Sequence, residues 1–153
     1  MRNWMLKRVA LVGLAVFAGT LTLSSNALAH KGATGIVKER MDRFKDSERA
    51  TKTIKQAISR SDAERVMTEA QSLLSWSREM ETFFPPNTNP TPSEARDEIW
   101  LLWDDFLVAI QSFDDAAQGL VDAADSGDSG TVGEAFKALT QSCKSCHEQF
   151  RQD

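Results

Sequence analysis

The chain has 153 residues, with 22 Asp and Glu against 18 Lys and Arg, a formal charge of −4. An acidic balance argues against nucleic acid and anionic membrane as partners and suits steering toward basic ones. Hydrophobic residues make up 41% of the chain, enough for a single core at this length.

Residues 1–29 read as a targeting segment. Arg2, Lys7 and Arg8 give a positive start, Val9 to Leu23 an apolar stretch, and Ala27-Leu28-Ala29 a small-x-small cleavage site. An uncleaved anchor is the alternative, since the apolar run is near the lower limit for spanning; the Ala-x-Ala ending favours cleavage. The expected mature chain is residues 30–153, one domain of 124 residues. The segment takes away three basic residues and no acidic one, so the mature charge is −7. Its compartment lies across a membrane, most simply a bacterial periplasm, and no membrane contact is expected after cleavage. His30 would be the new N-terminus; its amine and imidazole could bind copper, and a disordered end is the competing reading.

Four helices and no strand follow. The first is expected from about Thr34 to Ser59, with an inward stripe of Val37, Met41, Phe44, Ser47, Thr51, Ile54 and Ile58. Ser47 and Thr51 are small and polar where a bundle usually has Leu. Either the stripe is weak or something bulky and flat packs there. The second helix is expected from about Asp62 to Phe83, capped by Ser61 or Asp62, with Ala63, Val66, Ala70, Leu73, Ser77, Met80 and Phe84 inward. Four prolines between Pro85 and Pro92 then forbid helix and make the one long connection.

The third helix is expected from about Ser93 to Ala124, with Ile99, Trp103, Phe106, Ile110 and Phe113 inward and Trp100 and Leu107 widening that face. Residues 125–130 form a turn, and Thr131 with Glu134 is a capping box for the fourth helix. On that helix Val132, Phe136, Leu139, Cys143, Cys146 and Phe150 share a stripe. Short first and last connections give an antiparallel four-helix bundle, a fold that places cofactors between facing helices.

Cys143-Lys144-Ser145-Cys146-His147 is the C-x-x-C-H pattern of covalent haem attachment. Two thiols add to two vinyl groups as thioethers, and His147 then lies beside the ring with a nitrogen for iron. Alternatives are a Cys143–Cys146 disulfide or half of a zinc site. Zinc usually takes about four ligands, whereas the only other His is His30 and there is no third Cys. Helical register puts both cysteines on the buried stripe and His147 beside it, so the haem would be held inside the bundle, between the fourth helix and the small-residue gap on the first.

The chain resembles the cytochrome c′ family, the class II c-type cytochromes. The residues that carry the resemblance are the C-terminal run from Cys143 to Arg151, the stretch from Ile99 to Phe106, the Phe84-Pro85-Pro86 link, and Arg40 on the first helix. The resemblance spans the whole mature chain. It implies covalent haem c, one per chain, with His147 as the proximal iron ligand and Arg40 near a haem propionate; an ion pair of Arg40 with Glu39, Asp42 or Asp46 is the alternative. It implies that Phe44 faces the distal side of iron. Low-spin relatives carry Met at that position, so Phe44 points to five-coordinate iron; Met41, one turn earlier, is the other candidate for a sixth ligand. Arg151 is expected near the imidazole or a propionate, or as a solvated surface residue. Of Trp100, Trp103 and Phe106, one is expected to touch the ring, and Met67 and Met80 are packing.

The functional expectation is a periplasmic haem protein that transfers single electrons to a redox partner, binds a diatomic gas such as nitric oxide, or does both. No acid/base constellation surrounds the motif, so no enzymatic role is expected. A homodimer through the first two helices is implied by the resemblance. The competing reading is a haem-free helical binding or chaperone bundle with a Cys143–Cys146 disulfide.

Overall fold

The computed structural model describes residues 32–152. The targeting segment, its cleavage site and His30 lie outside them. Five helices follow in order, α1 (Gly35–Ser59), α2 (Ala63–Glu79), α3 (Glu98–Leu101), α4 (Trp103–Ser126) and α5 (Ser129–Phe150), with a 3-10 turn Met80–Phe83 closing α2. The long helices form the expected antiparallel bundle. α1 packs on α2, α2 on α4 and α4 on α5, and α1 meets α5 along a thinner seam. α1 and α4 are therefore diagonal.

The first connection is tight. Asp62 accepts from the Arg65 amide at 3.0 Å and caps α2, as its position suggested. The last connection is tighter than its sequence implied. Gly127, with φ of 70°, ends α4 in the left-handed region. Asp128, not Thr131, caps α5. Its Oδ1 accepts from the Thr131 amide at 2.6 Å and the Thr131 hydroxyl at 2.8 Å. These bonds hold the Asp128 carboxyl below its ordinary value. Thr131 thus donates to the cap where a capping box would have it accept.

The third helix does not start at Ser93. Residues 93–97 are irregular, α3 is one turn, and the chain breaks at Leu102, where φ is −120° and ψ 49°. The reason lies in what the segment is tied to. Trp100 Nε1 donates to the carbonyls of Phe84 and Pro85, at 3.1 and 3.2 Å. The Arg96 amide donates to the Phe150 carbonyl at 2.9 Å, and the Gln152 amide to that of Glu94 at 2.8 Å. Ala95 and Arg151 pair as an isolated antiparallel bridge. The segment before α4 is thus clipped to the end of α5, and a continuous helix from Ser93 would break that clip.

Along α2 the expected stripe is buried from Val66 to Phe84, and only Ala63 is exposed. α1 is rotated slightly from its expected register. Val37 and Ile54 are buried as expected, but Arg40, Ala50 and Ala57 take the innermost places in preference to Met41, Thr51 and Ile58. In α4 the core is Phe106, Ile110, Phe113, Ala117 and Leu120, with Ile99 from α3, while Trp103 is half-buried. Ser77, buried, donates to Asp114 at 2.7 Å and locks α2 to α4 with a satisfied polar contact.

Candidate haem site

The cysteines and the histidine share the last two turns of α5. Cys143 and Cys146 are half-buried free thiols packed on the core cluster, and His147 lies on the exposed edge next to them. Burial raises both thiols, Cys146 to about 11 with Cys143 adding to the rise, so both are protonated at neutral pH. A thiol S–H is the form that adds across a vinyl group, with sulfur bonding one carbon and hydrogen going to the other. Partial burial of the His147 ring, and then the nearby Arg151 charge, lower its proton affinity, while Glu94 opposes them. A neutral imidazole keeps a nitrogen lone pair for a metal.

Arg151 lies close enough to His147 for its charge to act on the imidazole, and it stays half-exposed at the surface. It forms a two-pronged pair with Glu94, at 2.9 and 2.7 Å, that reinforces the clip. The Arg151 amide also donates to the His147 carbonyl at 3.0 Å. The clip therefore fixes the turn that carries His147.

Across the thin seam, Ser47 and Thr51 are half-buried. Their hydroxyls donate to the carbonyls of Arg43 and Ser47, at 3.0 and 2.8 Å, so neither asks for a partner in the core. Phe44 is half-buried, edge-on to Trp76 at 5.6 Å and to Phe84 at 6.3 Å. Met41 is half-buried but does not join the hydrophobic cluster that Phe44 packs on. Beside Phe44, Trp76 Nε1 is buried without an acceptor among the described residues.

Arg40 departs from the ion-pair alternative that its neighbours in sequence offered. It is 2% exposed and pairs with none of the nearby acids; Asp42 binds Lys38, and Asp46 binds Arg49. Its guanidinium donates to Ser93 Oγ at 2.8 Å, Thr88 Oγ1 at 3.3 Å, and the Asn89 side chain and Phe83 carbonyl at 3.5 Å. It also lies over the rings of Phe84 and Trp100, at 4.8 and 5.8 Å. Burial lowers its pKa, and every acceptor it reaches is neutral. Sequence reasoning missed this role because all four acceptors lie 43 to 53 residues away.

These residues fit a covalent haem. Two thiols one turn apart pack on the core, an exposed histidine follows them on the same helix, and the buried Arg40 cation reaches only neutral acceptors among the described residues. Comparison with known proteins agrees. The family model for cytochrome c′ matches residues 35–151. The chain belongs to the cytochrome c′ family. Members of this family carry covalent haem c, which rules out the haem-free reading with a Cys143–Cys146 disulfide. A cytochrome c′ from Rhodospirillum rubrum is 34% identical over 85 residues, which is 55% of this chain and 58% of that relative, so the match spans under two thirds of its length. Cytochrome c′ from Thermochromatium tepidum shares the fold, with a TM-score of 0.72 at 22% identity over 77% of this chain and 95% of that one. A nitric oxide complex of a leucine variant of the Alcaligenes xylosoxidans cytochrome c′ gives 0.70 at 27% identity, over 77% and 94%. The Shewanella frigidimarina cytochrome c′ gives 0.71 at 25% identity over the same shares. No helix among the described residues is long and apolar enough to cross a membrane.

Proposed function

We propose that this chain is an exported haem protein of the periplasm that binds a diatomic gas, nitric oxide foremost, at five-coordinate iron, with one-electron transfer as its second capacity. The observation that carries the reading is Phe44. It stands where low-spin relatives carry Met, and it packs on Trp76 and Phe84 with no donor atom to offer. The nitric oxide complex solved for the Alcaligenes xylosoxidans relative supports it.

When bound, haem supplies an iron centre that exchanges one electron or takes up a gas. The chain's own residues do the rest. Cys143 and Cys146 tether the group, and the covalent link makes its loss independent of affinity. His147 supplies the proximal nitrogen, and the clip through Arg151 and Glu94 holds the turn that presents it. Arg40 is a buried cation beside the link, and a propionate is the anion it suits. Phe44, packed on Trp76 and Phe84, would offer a bound haem an apolar cover that keeps water away. None of these groups moves a proton in a reaction, so the chain is a carrier or sensor and not an enzyme. A homodimer through α1 and α2 is part of this reading.

Absorption spectra of the purified ferric and ferrous protein, with and without nitric oxide, test it. High-spin ferric haem that binds the gas without losing a sulfur ligand is expected. A low-spin resting spectrum with a sulfur signature overturns five-coordination and moves electron transfer to first place.

A further inference from the structure

Leu101, Leu102 and Val108 are the exposed large hydrophobics among the described residues, at 78, 43 and 65% of full exposure. All three lie where α3 breaks and α4 begins. Isolated exposed apolar residues are ordinary, but a cluster rimmed by polar groups marks an interaction site. On α4 the rim is acidic, and on α3 the acid Glu98 has Arg96 4.0 Å away. Asp104 lies one turn before Val108 on the same side of α4, with Asp105 beside it and Glu98 on α3, all exposed. Asp104 and Asp105 form no ion pair among the described residues. From Asp97 to Phe136 the chain has ten Asp and Glu and no Lys, Arg or His. Helix-start acids favour the helix dipole, which accounts for Asp104 and Asp105 individually. It does not account for three exposed apolar side chains among them.

The opposite corner of the bundle differs. α1 carries Lys38, Arg43, Lys45, Arg49, Lys52 and Lys55 among its acids, and several of these are paired along the helix. α1 and α4 are diagonal, so the molecule has one acidic, apolar-centred face set away from a mixed, basic one.

We propose that the α3–α4 junction, centred on Leu101 and Val108 and ringed by Glu98, Asp104 and Asp105, docks a protein that presents an apolar patch ringed by lysines. Charge steers such a partner, and the apolar centre holds it once water leaves. The rings behind the patch suit an electron carrier. Trp103 lies 5.6 Å from Phe106, and Phe106 lies 5.3 Å from Phe150, the last residue of α5, one turn beyond Cys146. That last step rests on the haem reading above; the docking does not.

Zero-length carbodiimide cross-linking of the holoprotein, with a lysine-rich mitochondrial cytochrome c as the probe, reads the contact through its carboxylates and needs no electron transfer. Cross-linked peptides from Glu98, Asp104 and Asp105 are expected, falling as salt rises. The double variant Leu101→Ser with Val108→Ser keeps every carboxylate, yet should lower the yield about tenfold, as loss of a hot-spot pair does. Asp104→Asn with Asp105→Asn should flatten the salt dependence, and Glu64→Gln on α2 should change neither. Equal cross-linking through α1 and α2 carboxylates, or none at all, overturns the proposal. So does a serine variant with unchanged yield, or cross-links joining α4 carboxylates to α1 lysines of a second copy. Cross-linking at the patch with no electron exchange would leave the docking intact and count against the haem-to-patch route alone.

Discussion

Arg40 Nη2 donates to Ser93 Oγ at 2.8 Å, joining the second turn of α1 to the end of the proline-rich link across 53 residues. This contact ties the end of the link to the bundle, beside the Trp100 bonds that hold its start. The same guanidinium reaches Phe83, Thr88 and Asn89, so one side chain satisfies acceptors along the whole connection. A buried charge without an ionic partner is costly unless its donors are used. Here hydrogen bonds and two aromatic faces offset that cost, and an anion nearby would lower it further.

Arg40→Ala should therefore destabilise the protein by about 3 kcal/mol, since four part-buried acceptors lose their donor and the buried stem loses its packing. The melting temperature should fall by about 10 °C for a domain of this size. Arg40→Lys should recover less than half, because an ammonium cannot serve a planar array of acceptors. Thermal melts followed by circular dichroism check both; an unchanged melt would show that the link is held by its prolines alone.

Replacing Cys143 and Cys146 with Ala should give protein whose haem is extracted by acid acetone. A large apolar ligand that binds only the folded state would then be lost, at a cost of several kcal/mol. Far-UV circular dichroism should show a lower melt and reduced helicity. A cysteine-free variant that melts like the parent would mean that the bundle folds without the tether.

Asp128 sets an acid-side prediction. Its folded pKa lies below the ordinary carboxylate value because Thr131 donates to it. A depressed carboxylate pKa adds stability above the unfolded value, near 3.9, and that stability is lost as pH falls through the folded one. Asp128→Asn keeps a good cap but cannot titrate, so its melting temperature should drop less steeply between about pH 5 and pH 2 than the parent's. Asp128→Ala should melt lower than either at neutral pH. Parallel acid limbs in parent and Asn variant would show that other carboxylates dominate.

The bundle and the haem helix were legible because both rest on local periodicity. The stripe through Val132, Leu139, Cys143 and Cys146 needs only the helical repeat, and it put the thiols on the core side where they lie. What escaped was set by partners far along the chain. The break at Leu102 has no Pro or Gly to announce it; it follows from the clip between Ala95 and Arg151 and the anchoring of Trp100 on Phe84. The neutral cage of Arg40 and the pairing of Arg151 with Glu94 are of the same kind. Thr131 misled for a local reason. A hydroxyl can accept or donate, and Asp128 three residues earlier is the better acceptor.

His147→Ala should leave the thioethers and remove the proximal nitrogen. Haem should stay with the protein through denaturing electrophoresis, while the ferric and ferrous spectra change. An unchanged spectrum would mean that another side chain binds the iron.

Phe44 decides between gas binding and electron transfer, so its substitution is the most informative. Its ring now rests on Trp76 and Phe84, and Phe to Met conserves volume well enough to keep that packing. Phe44→Met would place a thioether where the low-spin relatives have one. The ferric spectrum should shift from high-spin to low-spin. The affinity for carbon monoxide and nitric oxide should fall at least about tenfold, since the gas must displace sulfur at a cost above about 1.4 kcal/mol. Met41→Leu should leave the spectrum as it is, because Met41 sits off the cluster that holds Phe44. The opposite result is equally clear: if the parent is low-spin and Met41→Leu turns it high-spin, Met41 is the sixth ligand, and the chain is first an electron carrier.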